Sequence, residues 1–156
     1  MDPSWNDARS SRHRSRFHGR PDRAASAARV QITASAVQGG MPPRAATHAI
    51  ATAMPESTGR NVKFGDRDSL GLFQQRPSQG WGTAEQILDP EYSTNKFYDA
   101  LEKVDGYESM DIAQAAQEVQ RSASGQAYAQ HEAQARVTAS VLSGQTPAAM
   151  RCALED

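Results

Sequence analysis

The sequence predicts a mainly α-helical domain, and three observations carry that expectation. Alanines are dense, as at Ala45, Ala46, Ala49, Ala51 and Ala53 and again at Ala113, Ala115 and Ala116, and alanine loses least on entering a helix. Apolar residues repeat at three and four positions rather than at two, which puts them on one side of a helix. Prolines and glycines separate these runs at places where helices start or stop.

Residues 1–23 are the exception. Arg9, Arg12, Arg14, Arg16, Arg20 and Arg23 stand there among Ser, His and Gly with almost no aliphatic residue. Such a stretch buries too little apolar surface to offset its ordering entropy, so a disordered Arg/Ser-rich tail is expected. The formal net charge of the whole chain is -1, which gives no global positive field for nucleic acid. The tail reads as a solvated segment in preference to a nucleic-acid contact, although an arginine-rich arm on an inert domain is the alternative.

From Ala24 the pattern turns helical, with Ala28, Val30, Ile32 and Val37 as its apolar anchors and Gly39-Gly40 as its stop. Pro42-Pro43 opens the next helix, because a proline in the first turn loses no internal hydrogen bond. Ala46, Ala49, Ile50, Ala53 and Met54 give that helix one buried stripe, and it is expected to end near Pro55. Glu56 thus falls at a helix C-terminus. Asn61 to Leu70 holds Gly65, Asp66 and Asp68 between short apolar positions, which reads as a loop or small hairpin. After Gly71-Leu72-Phe73-Gln74-Gln75, the residues Pro77, Gly80 and Gly82 make a loop around Trp81. Thr83 and Gln86 have capping-box spacing and open a short helix through Leu88. A helix from Pro90 should carry Tyr92, Phe97, Leu101 and Val104 inward, and Asp111 should cap one that buries Ile112, Ala115, Ala116 and Val119. A last helix from about Gln126 should bury Tyr128, Ala135, Val137 and Leu142 before Gly144. The packed domain is therefore expected at 24–144, with 145–156 as a short C-terminal tail.

Composition bounds the function. At 156 residues one core is the ceiling. The 38% hydrophobic content lies low in the globular range, as suits an ordinary domain with a polar tail attached. No apolar run approaches the roughly 20 residues of a membrane span, and no stretch reads as a signal peptide. Cys152 is alone, so it forms no internal disulfide and no thiolate zinc site. His131-Glu132 begins like a zinc-protease helix, but Ala135 stands where the second His is needed. No organic cofactor and no metal are expected.

The stretch with chemical content is Glu56-Ser57 followed by Gly71-Leu72-Phe73-Gln74. Gly71 lies 71 − 56 = 15 residues after the Glu. This resembles the signature of soluble lytic transglycosylases and related lysozyme-like enzymes: a Glu-Ser pair at a helix end, then Gly-Leu-(Met or Phe)-Gln at that distance. The run from Gly65 through Gly82, GDRDSLGLFQQRPSQGWG, also looks like a group of uncharacterised bacterial proteins with this domain. The resemblance spans about Ala24 to Gly144. It implies a lysozyme-like helical domain, with a small loop or hairpin after the catalytic helix, that cleaves the β-1,4 bond between the amino sugars of peptidoglycan. Glu56 would be the single general acid and base. Ser57 and Gln74 would support it, with Gln75, Trp81 and Tyr128 as further substrate-binding candidates.

The resemblance is chemically coherent. A glycosidase needs an acid still protonated near neutral pH. The negative end of a helix dipole and burial beside Met54 and Phe73 would both raise the Glu56 pKa. The residues alone leave alternatives open. Ser57 could merely cap a turn, Tyr128 fits the inner face of the last helix, and Trp81 serves a core or lid as well as a sugar face. Asp66 and Asp68 are nearby carboxylates whose setting is explained more simply by turn formation and solvation. Two departures from the family pattern stand out. Pro55 precedes the acid, and Ala115-Ala116-Gln117-Glu118-Val119-Gln120-Arg121 occupies the region of the family's Ala-Tyr-Asn motif. They favour the rival reading, a catalytically inactive lysozyme-like module that binds glycan or protein in the cell envelope. A monomer acting on a peptidoglycan glycan strand is expected, in the envelope or outside the cell by inference from that substrate.

Overall fold

The computed structural model of the chain describes residues 22–121 and 125–144. The arginine-rich stretch through residue 21 and the tail with Cys152 lie outside the described residues, and so do the expectations made for them. Seven α-helices are described: α1 (Arg23–Gln38), α2 (Pro43–Ser57), α3 (Ala84–Ile87), α4 (Pro90–Leu101), α5 (Ile112–Gln120), α6 (Gly125–Ala129) and α7 (Glu132–Leu142). A 3₁₀ turn covers Pro77–Gln79. The class is mainly helical, as alanine content and periodicity predict.

Helix α1 starts at Arg23 because the Asp22 carboxylate accepts from the backbone N–H groups of Ala24 and Ala25, at 3.1 and 3.4 Å. Asp22 also pairs with Arg60. These last two residues of the expected tail therefore belong to the folded part. Val30 and Val37 are not inward anchors: they are 52% and 59% exposed, while Ala25, Ala28, Ile32 and Ala36 are buried. The buried set repeats at three and four residues, and the two valines lie on the opposite side of the helix. Small alanines let the α1 backbone approach its neighbours, so bulk did not decide the inward face.

Helix α2 is the centre of the fold. Every residue from Ala45 to Ala53 is buried, so the expected single stripe is replaced by burial on all sides. It contacts α1, α4, α5, α6 and α7. Five alanines in that stretch permit this close approach. The hydroxyls of Thr47 and Thr52 donate one turn back, to the carbonyls of Pro43 and His48. Their burial therefore strands no hydroxyl donor. His48 bonds the Tyr107 carbonyl through Nε2 at 2.9 Å. Around α2 the core is closed by Phe73 stacked on Phe97, with centroids 4.7 Å apart, and by Tyr98, whose hydroxyl donates to the Ile32 carbonyl.

The segment after α2 is a run of turns. Its one β contact among the described residues pairs Leu70 with Gln75 and closes a tight loop over Gly71–Gln74. The capping box at Thr83 and Gln86 forms as expected. Helix α4 buries Phe97 and Leu101 and half-buries Tyr92, but it ends at Leu101, so the half-buried Val104 stands in the turn beyond it. Helix α5 buries Ile112, Ala115, Ala116 and Val119, and Asp111 precedes it without a side-chain cap bond. The expected last helix is two helices, broken between Ala129 and Glu132. Tyr128, Ala135 and Ala139 face inward, whereas Val137 and Leu142 are 54% and 39% exposed. Tyr128, Ala135 and Ala139, seven and four residues apart, share one face across the break, and Val137 lies on the opposite side. Among the described residues no helix is long and apolar enough to cross a membrane.

Candidate functional site

Glu56 sits in the last turn of α2, which runs two residues past the expected end at Pro55. Pro55 is inside the helix, so the bond its N–H would make to the Ala51 carbonyl is missing. The chain leaves the helix through Thr58, at φ 56°, whose N–H bonds Met54 at 2.8 Å. The acid is therefore presented from a final turn that lacks one hydrogen bond but continues past the proline to Ser57.

The Glu56 side chain is half-buried. The Tyr128 hydroxyl, from α6, donates to its Oε1 at 2.5 Å. Burial pushes the carboxyl above its ordinary value, and Tyr128, with a smaller effect of Gln120 at the end of α5, pulls against that rise. Tyr128, only 1% exposed, is both a core residue and a partner of the acid, so its two sequence readings are not exclusive.

Three residues tie the neighbouring loop to the site. Ser57 Oγ donates to the Leu72 carbonyl at 2.7 Å, with the Ala53 carbonyl at 3.2 Å. Ser57 thus fastens the Gly71–Gln74 loop to the end of α2. Gly71 has φ +77°, and a Cβ there would lie 2.7 Å from the Ile87 carbonyl oxygen, which explains glycine at that position. The Gln120 amide nitrogen donates to the Phe73 carbonyl at 2.7 Å, so the loop is held from α5 as well.

The remaining candidates separate. Gln74 adopts φ 49° and donates to the carbonyls of Gly71 and Phe64, at 3.2 and 3.4 Å. The structure assigns it loop contacts. Gln75 is buried and donates to the Ser93 carbonyl of α4, which puts it in the interior rather than at a sugar. Leu72 and Phe73 are core residues. Asp68 is held well below the usual carboxylate range by the Ser78 N–H and by Arg76, 2.6 Å away, while Asp66 is exposed. Glu132 pairs with Arg44 at 2.8 Å. No group of three His, Cys, Asp or Glu side chains arranged to hold a metal occurs among the described residues.

Trp81 is half-buried against the core and lines a groove of about 630 Å³ that also includes Lys96, Lys103, Val119, Gln120 and Arg121. Glu56 does not line it. Gln120 lines the groove and holds the Phe73 carbonyl, and sequence reasoning missed it; its only signal is its place at the end of the α5 apolar repeat, in the region compared with the family's Asn-bearing motif. No protein-family model matches the chain, and none of the curated proteins compared with it does.

Proposed function

We propose that the chain is a lysozyme-like, peptidoglycan-cleaving glycosidase of the lytic transglycosylase type, with Glu56 as its single general acid and base. The observation that carries this reading is the Glu56 carboxyl, half-buried at the end of α2 and clasped by Tyr128 at 2.5 Å. An acid whose ionisation burial disfavours, yet whose direction a neutral hydroxyl fixes, suits proton transfer to a leaving oxygen. It lies on the residues that resemble the family's Glu-Ser and Gly-Leu-Phe-Gln signature, and Ser57 joins those two parts directly.

In this mechanism Glu56 gives its proton to the glycosidic oxygen as the bond to C1 breaks. The acetamido group of the substrate supports the oxocarbenium-like centre. The Glu56 carboxylate then takes the proton of the muramic acid 6-hydroxyl as that oxygen bonds to C1, which restores the acid and leaves an anhydro end. Intramolecular attack avoids the cost of recruiting another molecule. The engagement of Asp68 with Arg76 and Ser78 supports a single-carboxylate route over one with a second nucleophile or base. Such a substrate places the protein in the cell envelope or outside the cell, working as a monomer.

The test is lysis of purified peptidoglycan by the chain and by Glu56→Gln, with mass spectrometry of the glycan ends. We expect anhydro ends from the native chain and none from the variant. Fully hydrated ends would convert the assignment to a hydrolase. Intact glycan at every dose favours the second reading, a lysozyme-like binding module. That reading draws on Glu56 standing outside the groove and already engaged by Tyr128.

A further inference from the structure

Two side chains of α2, one helical turn apart, hold the same irregular segment. His48 Nε2 donates to the Tyr107 carbonyl at 2.9 Å, and Arg44 Nη2 donates to the Met110 carbonyl at 3.1 Å. Arg44 is itself steadied by Glu132 of α7, 2.8 Å from Nη1. Within the segment, residues 102–110, the backbone N–H bonds reach carbonyls only three or four residues back, so regular structure does not fasten it to the rest of the fold. Lys103, Val104, Asp105 and Met110 of this segment line the groove beside Trp81. The two α2 side chains therefore hold one wall of that groove in place.

We propose that His48 is a proton-operated latch: protonation of its ring at Nδ1 frees the 102–110 segment from α2 and opens the groove wall beside Trp81. A carbonyl oxygen only accepts, so the Nε2 proton is fixed and the neutral ring carries its lone pair on Nδ1. His48 is fully buried, and Nδ1 has no hydrogen-bond partner. A proton added there makes a buried N–H without an acceptor and a buried cation. Burial lowers the His48 pKa from 6.5 to about 4, against the effect of the Tyr107 carbonyl; Arg44 also opposes protonation, and Glu132 of α7 favours it. Tyr107 meets the ring edge-on at 6.0 Å and stays neutral in acid. Among the described residues α1, α4, α5 and α6 bring no charged group to bear on the ring. The closed segment thus holds the neutral ring, while opening lets the ring reach water and take up its proton at the ordinary value. Only Tyr107 is buried among residues 102–110, so this opening costs less than unfolding a helix. The inference does not depend on the reading of Glu56.

The experiment follows native protein, His48→Gln and Glu132→Gln from pH 7 to pH 3. NMR reads the titration of the His48 ring, and hydrogen exchange reads the protection of the Val104, Tyr107 and Met110 amides against those of α2. In native protein we expect the three amides to be less protected than α2 at each pH. Their protection should fall by roughly 300-fold between pH 6.5 and pH 4, since 6.5 − 4 is 2.5 pH units, and level off where the native ring titrates. His48→Gln keeps a donor for the Tyr107 carbonyl but cannot be protonated, and should lose that fall. Glu132→Gln should leave the segment protected at pH 7. Equal protection of the segment and α2 throughout would mean that acid unfolds the whole chain, and would overturn the proposal. So would an unaltered fall in His48→Gln, or loss of protection at pH 7 in Glu132→Gln, which would assign the latch to Arg44. If His48→Gln does not fold, native protein alone decides, because a fall that continues past the ring's own titration belongs to another group.

Discussion

Replacing Gly71 with alanine is the sharpest probe of how the loop is fitted to the site. Two costs apply. At φ +77° an L side chain is strained, which costs about 1–2 kcal/mol. The new Cβ would also sit 2.7 Å from the Ile87 carbonyl oxygen, a backbone atom of α3 that cannot swing aside as a side-chain tip can. Relieving that overlap requires a backbone shift, for which overpacking suggests about another 1–2 kcal/mol. The sum is about 2–4 kcal/mol. Gly80 provides the internal control, since its φ is +81° but nothing lies within 4 Å of its Cβ position, so Gly80→Ala should cost only the first part, about 1–2 kcal/mol. Urea unfolding of both variants at neutral pH reads the difference, and equal losses at the two positions would refute the close-approach argument. Because Ser57 and Gln120 hold the carbonyls of Leu72 and Phe73, Gly71→Ala should also disturb Glu56 and reduce lysis more than Gly80→Ala does.

Three further outcomes follow from titration and backbone geometry. The Glu56 pKa is raised in the fold, so its contribution is fully present below the ordinary value of 4.5 and is lost as pH rises through the folded value; Glu56→Gln should therefore raise Tm at neutral pH, with the gain vanishing in acid. A variant no more stable than the native chain at neutral pH would contradict this. Burial lowers the His48 pKa from 6.5 to about 4, so the unfolded chain takes up a proton first and stability should fall as pH drops from 6.5 towards 4. Glutamine at position 48 can still donate to the Tyr107 carbonyl and should flatten that slope, whereas an unaltered acid limb would show that another group is responsible. Pro55→Gln restores a donor to the last turn of α2 and should stabilise the chain by about 1–3 kcal/mol, a gain that calorimetry would detect and whose absence would mean that the helix has fully adapted to proline.

Much of the helical plan was legible because local signals agreed. Asp111 through Val119 shows a clear apolar repeat, and all four of its expected inward residues are buried. The Thr83–Gln86 box is a local reciprocal hydrogen bond that needs no tertiary help. Sidedness failed where alanine competed with larger residues. In α1 the close approach to neighbouring helices selects Ala25, Ala28 and Ala36 over Val30 and Val37, and in α7 it selects Ala135 and Ala139 over Val137 and Leu142. The position of Glu56 at a helix end could be read from sequence, since prolines and apolar spacing bracket α2. Of what surrounds the acid, only Tyr128 was named, through the family resemblance; it arrives from an element 72 residues further on (128 − 56), and no spacing rule gives its hydrogen bond to Glu56.

Helix α2 has no outward face between Ala45 and Ala53, and this governs how the protein can vary. A surface helix can drift at half its positions without touching anything, but here each added methyl group would press on one of five neighbouring helices. Sequence change is thereby channelled to the two ends of α2 and to the loops beyond them. A reactive group on this helix needs an end that reaches the edge of the packing, and Glu56 occupies such an end. The buried shaft works as a fixed mount, while new specificity can accumulate around the acid in side chains borne by other elements.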